Sequence, residues 1–365
     1  MALHPYPRFM TVGAVLILLF FMTLEWSHAR KELLSPEEKD RLRQIEQLHL
    51  DSLLLTSKGA VDATPLAAAA TARLTQLGYR VSFDAGQPAD AAVKIKCEER
   101  KTWEGTGRSG GDADMMDAAA RLWKGPACQI SYRIGTRTAD WRHEIRTPFA
   151  DPREAATKAG QSDAGAYAVA ALLDQVRTDD FPLLLAAEWG HHARLIAALN
   201  GAGLTTRQKV TLIGLIGTTQ SVETVPTLTR TLNDADPAVA EASAAALGAI
   251  GHENAIPPLL ALYSSPRPEQ RRCAVAGLGR LAPLHPSSAI VPTLLTGLPN
   301  EPVPTQILIV RSLGKTTDRR ILEPLRALHR SVLKRSPEQM TPDLKELKST
   351  LGIALDQFDG THTEE

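Results

Sequence analysis

Aromatic residues, cysteine and net charge are all scarce in this sequence of 365 residues. Its 41 basic and 41 acidic residues give a formal net charge of zero, which favours neither nucleic acid nor an anionic membrane as a general partner. Three cysteines are too few for a framework of several disulfides. After Trp189 only Tyr263 and Phe358 are aromatic. Because helical repeats can pack on Leu, Ala, Ile and Val alone, this imbalance divides the chain into two different halves.

Residue patterns that would indicate catalysis are weak. The glycines from Gly105 to Gly110 have G-x-G-x-x-G spacing, but a dinucleotide site also needs a following parallel strand that ends in an acid. The next segment instead enters an antiparallel hairpin pattern, which favours a flexible loop. The acids between Asp112 and Asp117 lack the spacing and closing glutamate of a calcium loop. We therefore predict no catalytic residue, no cofactor and no metal site.

An apolar run from Phe9 to Leu24 marks the amino terminus. It is long for the core of a signal peptide and short for a membrane span. Small residues two apart, Ser27 and Ala29, resemble a signal peptidase site. Residues 1–29 are thus expected to be a signal peptide or a membrane anchor, and both alternatives stay open.

The compartment follows from the flanks of this run. Basic residues after it, from Arg30 to Arg43, favour an anchor with a cytoplasmic body by the positive-inside rule. The short leader, the peptidase-like site and a pair of cysteines favour export. We expect a protein of the cell envelope, periplasmic or anchored in the inner membrane and facing out. A membrane-anchored protein that faces the cytoplasm is the alternative.

The next two segments differ in their periodicity. Residues 30–59 are predicted to form a stalk helix that is capped by Ser35 and continues toward Leu55. Residues 60–185 are predicted to form a small α+β domain with an Ala-rich first helix and a closing helix toward Val176. Its strands are expected where apolar residues alternate with polar ones, at residues 79–83, 93–97, 128–134 and 141–145. The last two strands should pair as a hairpin.

Two cysteines lie in these predicted strands. Cys97 and Cys128 are both in phase with the buried face, so they are expected to be cross-strand neighbours. In an oxidising compartment they would form a disulfide, and in the cytosol they would be buried thiols. The third cysteine, Cys273, lies among Ala and Val and is predicted to be a small core residue.

The second half of the chain repeats itself. One set of markers is a leucine that follows a helix-opening segment, at Leu228, Leu259, Leu294 and Leu325. The other set is a glycine in the next helix, at Gly214, Gly248, Gly279 and Gly314. Self-similarity with a period of roughly 30 to 40 residues is typical of stacked helical hairpins.

These repeats resemble the HEAT family, particularly the short bacterial form of phycobilisome-lyase-like repeats. Residues 233–239 resemble the turn between the two helices, and Arg271 occupies the place of the arginine that the family usually carries. Ala240 and Gln306 stand there in neighbouring units, so this part of the pattern is degenerate. The resemblance implies a helical-hairpin solenoid over residues 190–335, followed by a capping helix and polar tail over residues 336–365.

Some HEAT-like proteins are enzymes, and deoxyhypusine hydroxylase holds iron on several histidine–glutamate pairs. Here the repeats contain a single such pair, His252-Glu253, which falls in a loop. His191 and His192 add no carboxylate neighbour in the sequence. The resemblance therefore implies a non-enzymatic scaffold, and a lyase or metal-dependent enzyme is kept as an alternative.

Charge is patterned in the last repeat. Arg326, Arg330 and Lys334 lie four apart and form a stripe opposite the apolar positions of one helix. Arg311, Lys315, Arg319 and Arg320 precede them. This set is the candidate binding site for a protein partner, although the pattern favours a merely solvated helix face. Nucleic acid is not expected, since no aromatics are interleaved for stacking.

Together these features predict an exported or membrane-anchored adaptor that binds a protein partner through the surface of its repeats. The membrane would be a second partner if the amino-terminal segment is retained. An assembly factor for an envelope complex is the remaining alternative and differs only in the partner.

Overall fold

A computed structural model describes residues 36–84, 86–103 and 123–359. The apolar run, the Gly105–Gly110 loop and the acids that follow it lie outside these residues. None of the helices within them is long and apolar enough to cross a membrane. The chain divides into two compact units, Met1–Leu42 and Arg43–Glu365. Residues 36–42 of the first unit belong to helix α1 (Pro36–Arg43).

A mixed β-sheet begins the second unit. Its strands are β1 (Gln47–Thr56), β2 (Gly59–Val61), β3 (Arg80–Ser82), β4 (Ala91–Trp103), β5 (Trp123–Ile134) and β6 (Arg137–Arg146). They lie in the order β2-β1-β4-β5-β6, and β3 also pairs with β1. The pair β1–β4 is parallel, whereas the pairs β4–β5 and β5–β6 are antiparallel. The predicted hairpin is therefore confirmed as β5–β6.

The predicted stalk helix over residues 30–59 is wrong after Arg43. Its last part is strand β1, in which Leu48, Leu50 and Leu54 are buried on one face of the sheet. Leucines two apart fit a strand with one buried face. Parallel pairing with β4 provides hydrogen-bond partners for the backbone N–H and C=O groups of this segment.

Helices cover the buried face of the sheet. The first is α2 (Thr64–Gln76), which packs on β1 and β3. The predicted closing helix is two helices, α3 (Pro152–Lys158) and α4 (Ala164–Thr178), and α4 packs on β4, β5 and β6. The break occurs because Gly160 has a φ of +69° and Asp163 caps a new helix by accepting from the amide of Ala166.

Antiparallel helix pairs make up the rest of the unit. The helices are α5 (Phe181–Glu188), α6 (His192–Leu199), α7 (Thr206–Thr218), α8 (Val225–Thr231), α9 (Pro237–Ile250), α10 (Ile256–Tyr263), α11 (Pro268–Leu281), α12 (Ile290–Gly297), α13 (Val303–Leu313), α14 (Leu322–Leu333) and α15 (Pro342–Asp359). From α6 on they form successive pairs, each with a first and a second helix. The predicted capping helix is α15, which packs on both α13 and α14 and so completes a fifth pair.

The second helices, α7, α9, α11, α13 and α15, form one closely packed row. A Cβ atom placed on Gly217 would lie 2.9 Å from the Cβ of Ala246, and one on Gly248 would lie 2.8 Å from the carbonyl oxygen of Gly277. Farther along, Gly279 faces Ser312 and Gly314 faces Ala354. The first helices contact one another much less. We infer that the array curves toward the second-helix row, which lines its inner face.

Candidate partner-binding surface of the repeat array

An aromatic cluster joins the sheet to the array. Trp189, in the link between α5 and α6, is 1 % exposed and meets the rings of Tyr79 and Tyr132 edge-to-face, with centroids 5.5 and 5.4 Å away. The hydroxyl of Tyr79 lies 2.7 Å from Nδ1 of the buried His191. Burial raises the pKa of Tyr79 and of Tyr132 well above the ordinary value. These ring contacts and the Tyr79–His191 hydrogen bond therefore link the sheet region to the start of the array.

Aspartates in the turn between α8 and α9 link neighbouring repeats. Asp234 accepts a hydrogen bond from Nζ of Lys209 on α7 at 3.0 Å, and Asp236 accepts from the hydroxyl of Thr206 at 2.5 Å. Asp236 also caps α9 through the amide of Ala238. The amide of Asp236 and the Lys209 ammonium hold the pKa of Asp234 below its usual range. These contacts fix the position of one repeat on the next.

Arg271 makes a similar link two repeats later. Its Nε donates to Glu301 Oε1 at 2.7 Å, and Nη1 donates to the carbonyls of Ser265 and Pro266 at 3.0 Å each. Glu301 is buried beside Tyr263. Burial and then the charge of Glu301 raise the pKa of Tyr263 to about 12. The arginine that resembles the family residue thus has a structural role between repeats.

The exposed face of the second-helix row combines small residues with cations. Half-buried or exposed alanines occupy its middle, and Ala276 of α11 stands between Arg272 and Arg280, one turn to either side. Arg280 donates to the carbonyl of Ala245 on α9 at 3.0 Å. Arg311 of α13 and Lys315, just beyond the end of α13, are likewise four residues apart and exposed.

We call Arg272, Arg280, Arg311 and Lys315 the inner basic patch. Arg280 and Arg311 are next in sequence to Gly279 and Ser312, through which α11 and α13 make contact. Within the described part of the chain, no carboxylate lies within ion-pair distance of Arg272, Arg280 or Lys315. Arg311 pairs with Glu346 of α15 at 2.7 Å. Three of the four cations of the patch therefore have no ion pair among the described residues.

The cations predicted from sequence are divided between two surfaces. Arg311 and Lys315 belong to the inner basic patch, whereas Arg326 and Arg330 lie on α14, in the first-helix row, and Lys334 is the C-cap of that helix. Leu325 and Val332 are buried on the opposite side of α14, as the stripe implies. Glu323 lies 3.4 Å from Arg326 and 4.0 Å from Arg330, so one carboxylate offsets part of the charge of the stripe.

The turn before α14 holds the two remaining predicted cations, Arg319 and Arg320. Arg320 donates through Nε and Nη2 to both carboxylate oxygens of Asp318. The same guanidinium lowers the pKa of Asp318 from its usual range. Arg320 therefore stabilises the turn, and a role for this set in binding stays a prediction.

The two predicted cross-strand cysteines face each other directly. Cys97 of β4 and Cys128 of β5 are register partners, and both side chains are fully buried. In the structure their sulfurs are joined as a disulfide. Cys273, by contrast, is a buried free thiol in α11.

The histidines of this region have structural partners. His192 Nε2 lies 2.8 Å from Glu223, and Nδ1 of His252 accepts from the amide of Asn254. His285 Nε2 lies 2.8 Å from the carbonyl oxygen of Gly251. Among the residues that the structure describes, no group of three or more His, Cys, Asp or Glu side chains is arranged to hold a metal ion.

Sequence patterns identified Arg311 and Lys315 of the inner basic patch, but they revealed neither Arg272 and Arg280 nor the aromatic cluster. Arg272, Arg280 and Arg311 come together only because α11 and α13 are stacked through Gly279 and Ser312. A weak signal for this patch existed, since Arg272, Ala276 and Arg280 are spaced four apart. The aromatic cluster joins residues that are more than 50 positions apart, beyond the reach of any local pattern.

Comparison with known proteins bears directly on the array. Residues 194–279 match the family model for HEAT repeats. A comparison with curated proteins found no match. The matched segment runs from α6 to α11, and α12 to α15 continue the same alternation and the same close row of second helices. The repeat region over residues 194–279 is therefore built of HEAT repeats.

Proposed function

We propose that this protein is an adaptor that binds an acidic segment of a protein partner on the inner face of its repeat array. HEAT repeats generally mediate protein–protein interaction, and stacked helical pairs provide an extended curved surface for it. The observation that carries the proposal is the inner basic patch, where four cations surround small residues and three of the four have no ion-pair partner among the described residues. Alanines let a partner's backbone approach closely, and the cations favour carboxylates.

Charge reversal on this patch tests the proposal. The variant Arg272→Glu/Lys315→Glu changes two exposed cations that have no carboxylate partner, so the fold should tolerate it. The matched control is Arg330→Glu/Lys334→Glu on α14. Each purified protein would be used to capture partners from a membrane extract, and the captured proteins would be quantified by mass spectrometry.

A partner that is lost roughly tenfold or more with the first variant and retained with the control supports the proposal. Equal capture by the wild type and the first variant overturns the inner face as the binding surface. Loss with the control alone would assign binding to the α14 stripe instead. Raised salt should weaken the specific capture, because exposed ion pairs are screened.

We further propose that the protein is exported or anchored in the cell envelope. The apolar run from Phe9 to Leu24 and the joined sulfurs of Cys97 and Cys128 support this location. Labelling with a membrane-impermeant thiol reagent, with and without reductant, tests it. Two cysteines that react in whole cells only after reduction would support export, and free thiols that react only after lysis would overturn it.

An enzyme built on the repeats has no observation in its favour among the described residues. Metal analysis of the purified protein provides the check. Stoichiometric iron or zinc would overturn the adaptor proposal.

A further inference from the structure

A cleft of about 320 Å³ lies where helix α2 of the sheet region meets α5, α6 and α7. Its apolar lining comes from Leu77, Leu183, Leu204 and Leu212, together with two alanines of α6. The volume is within the range of small-ligand sites, and junctions between domains are common places for them. The apolar lining would accept a compact hydrocarbon group.

Arg73 of α2 forms one polar wall of this cleft. Its Nη2 donates to the carbonyl of Asp179 at 2.7 Å, and Nη1 donates to Gln76 Oε1 at 3.2 Å. Its Nε is buried and has no hydrogen-bond partner among the described residues. A buried guanidinium donor without an acceptor costs free energy, and a ligand oxygen would remove that cost.

Arg194 of α6 forms a second polar wall. Its guanidinium lies over the ring of Tyr79 at 4.3 Å, and Nη1 donates to the carbonyl of Leu77 at 2.7 Å. Stacking and this hydrogen bond hold the guanidinium in one orientation. Because Leu77 follows Arg73 by one helical turn, the two arginines stand at neighbouring positions of the same cleft.

Neither arginine lies within ion-pair distance of a carboxylate in the described residues. Asp180 also lines the cleft but pairs with neither of them. Two half-buried cations near each other repel, and an anion between them would offset that repulsion. A carboxylate suits the planar guanidinium, and the amide of Gln208 and the hydroxyl of Thr211 offer further hydrogen bonds.

We propose that this junction cleft binds a carboxylate attached to a compact apolar group. The carboxylate meets Arg73 and Arg194, and the apolar group lies against the leucines. Such a ligand comes from one of two sources, a free acyl amino acid or the carboxy-terminal residue of a peptide. Because Arg73 belongs to the sheet region and Arg194 to the array, binding stabilises the junction between them.

Calorimetric titration with defined probes tests the site. N-acetyl-L-leucine represents the free ligand, and a hexapeptide of glycine and serine that ends in leucine represents a protein terminus. The carboxamide of each probe is the matched control, because it keeps the apolar group and loses the charge. Binding of an acid with at least tenfold weaker binding of its amide is expected.

Two variants examine the protein side. Arg73→Gln removes one cation, and Gln208→Glu introduces a negative charge into the cleft. A glutamate at this position keeps the capping box with Thr205, so Gln208→Glu should fold even if Arg73→Gln does not. The control is Arg80→Gln, an exposed arginine outside the cleft. Both cleft variants should weaken binding of the acid roughly tenfold, and the control should not.

Binding of the short acid alone assigns a small-molecule source, and binding of the peptide acid assigns a protein terminus. The proposal is overturned if neither acid binds, if the amides bind as well as the acids, or if a folded Gln208→Glu variant binds like the wild type.

Discussion

The sheet region and the repeat array reach stable packing in opposite ways. The sheet region uses large side chains at a few places: Trp189 between two tyrosines at its junction and joined sulfurs between β4 and β5. The array uses the absence of side chains, since glycines let each second helix approach the next. Packing in the sheet region therefore depends on large side chains that fill space. Packing in the array depends on glycines, which leave room for the neighbouring helix.

This difference determines how far a local fault should spread. Residues of the sheet region share one core, so a cavity there weakens many contacts at once. Each repeat contacts mainly its neighbours, so a fault in the array weakens one interface between units. Three sets of substitutions and one change of pH test this contrast between the two regions, in order of decreasing expected effect.

Removing the indole of Trp189 should have the largest effect. Trp189→Ala empties a fully buried site between Tyr79 and Tyr132, and we expect unfolding to require about 3–5 kcal/mol less free energy. Urea denaturation would measure it, and limited proteolysis should show new cleavage near the junction. The control Phe83→Ala removes a ring that is 55 % exposed and should cost roughly 0.5 kcal/mol or less. Equal losses in both variants would contradict the role of the junction.

Loss of the disulfide between Cys97 and Cys128 should have the second-largest effect on stability. The bond joins residues 31 positions apart, and Cys97→Ala/Cys128→Ala should lower the free energy of unfolding by roughly 2–4 kcal/mol. Hydrogen exchange should increase in the sheet and remain unchanged in α9 to α13. Reductant should lower the Tm of the wild type and of Cys273→Ala but leave the double variant unaffected. A wild type that is insensitive to reductant would rule out this bond.

Gly277→Ala should weaken the array by a smaller amount. The new Cβ would lie 2.6 Å from the carbonyl oxygen of Ala244 and 2.9 Å from Leu259, so α9 and α11 must separate, at a cost of about 1–3 kcal/mol. Gly214→Ala is the matched control: nothing lies within 4 Å of its Cβ, and a gain of roughly 0.5–1 kcal/mol in helix stability is expected. Thermal unfolding followed by circular dichroism would measure both, and a stabilised Gly277→Ala would contradict the close approach of the helices.

Alkaline pH should have the smallest effect on the array. The pKa of Tyr263 is raised from 10.0 to about 12, so the folded state favours the neutral hydroxyl. This contribution to stability is complete below pH 10 and is lost as the pH rises through 12. The Tm of the wild type should therefore fall more than that of Tyr263→Phe between pH 9 and pH 11. Parallel decreases in the two proteins would show that Tyr263 ionises freely.

Local patterns predicted much of the fold because the relevant contacts are close in sequence. The leucine and glycine markers of the repeats recur at a fixed period, and each repeat packs mainly on the repeats next to it in the chain. Alternation likewise predicted β4, β5 and β6, and it placed Cys97 opposite Cys128. In these segments, the apolar residues that recur at the helix or strand period are the residues that are buried.

Other features required partners that are far away in sequence. The segment 47–56 was ambiguous in sequence: Ile45 and Leu48 have the spacing of a helix, whereas Leu48 and Leu50 have the spacing of a strand. Pairing with β4, about 40 residues later in the chain, stabilises the strand. In the same way, the inner basic patch depends on the stacking of α11 on α13, and the junction cleft on the contact between α2 and α6.

The sequence by itself determined a helical repeat array with small residues along its second helices, because a period of one helical hairpin is encoded locally. Only the tertiary structure decided which cations share a surface and where the sheet joins the array. These features depend on contacts between residues tens of positions apart, such as Tyr79 with Trp189, whose positions are fixed only when the whole core has packed.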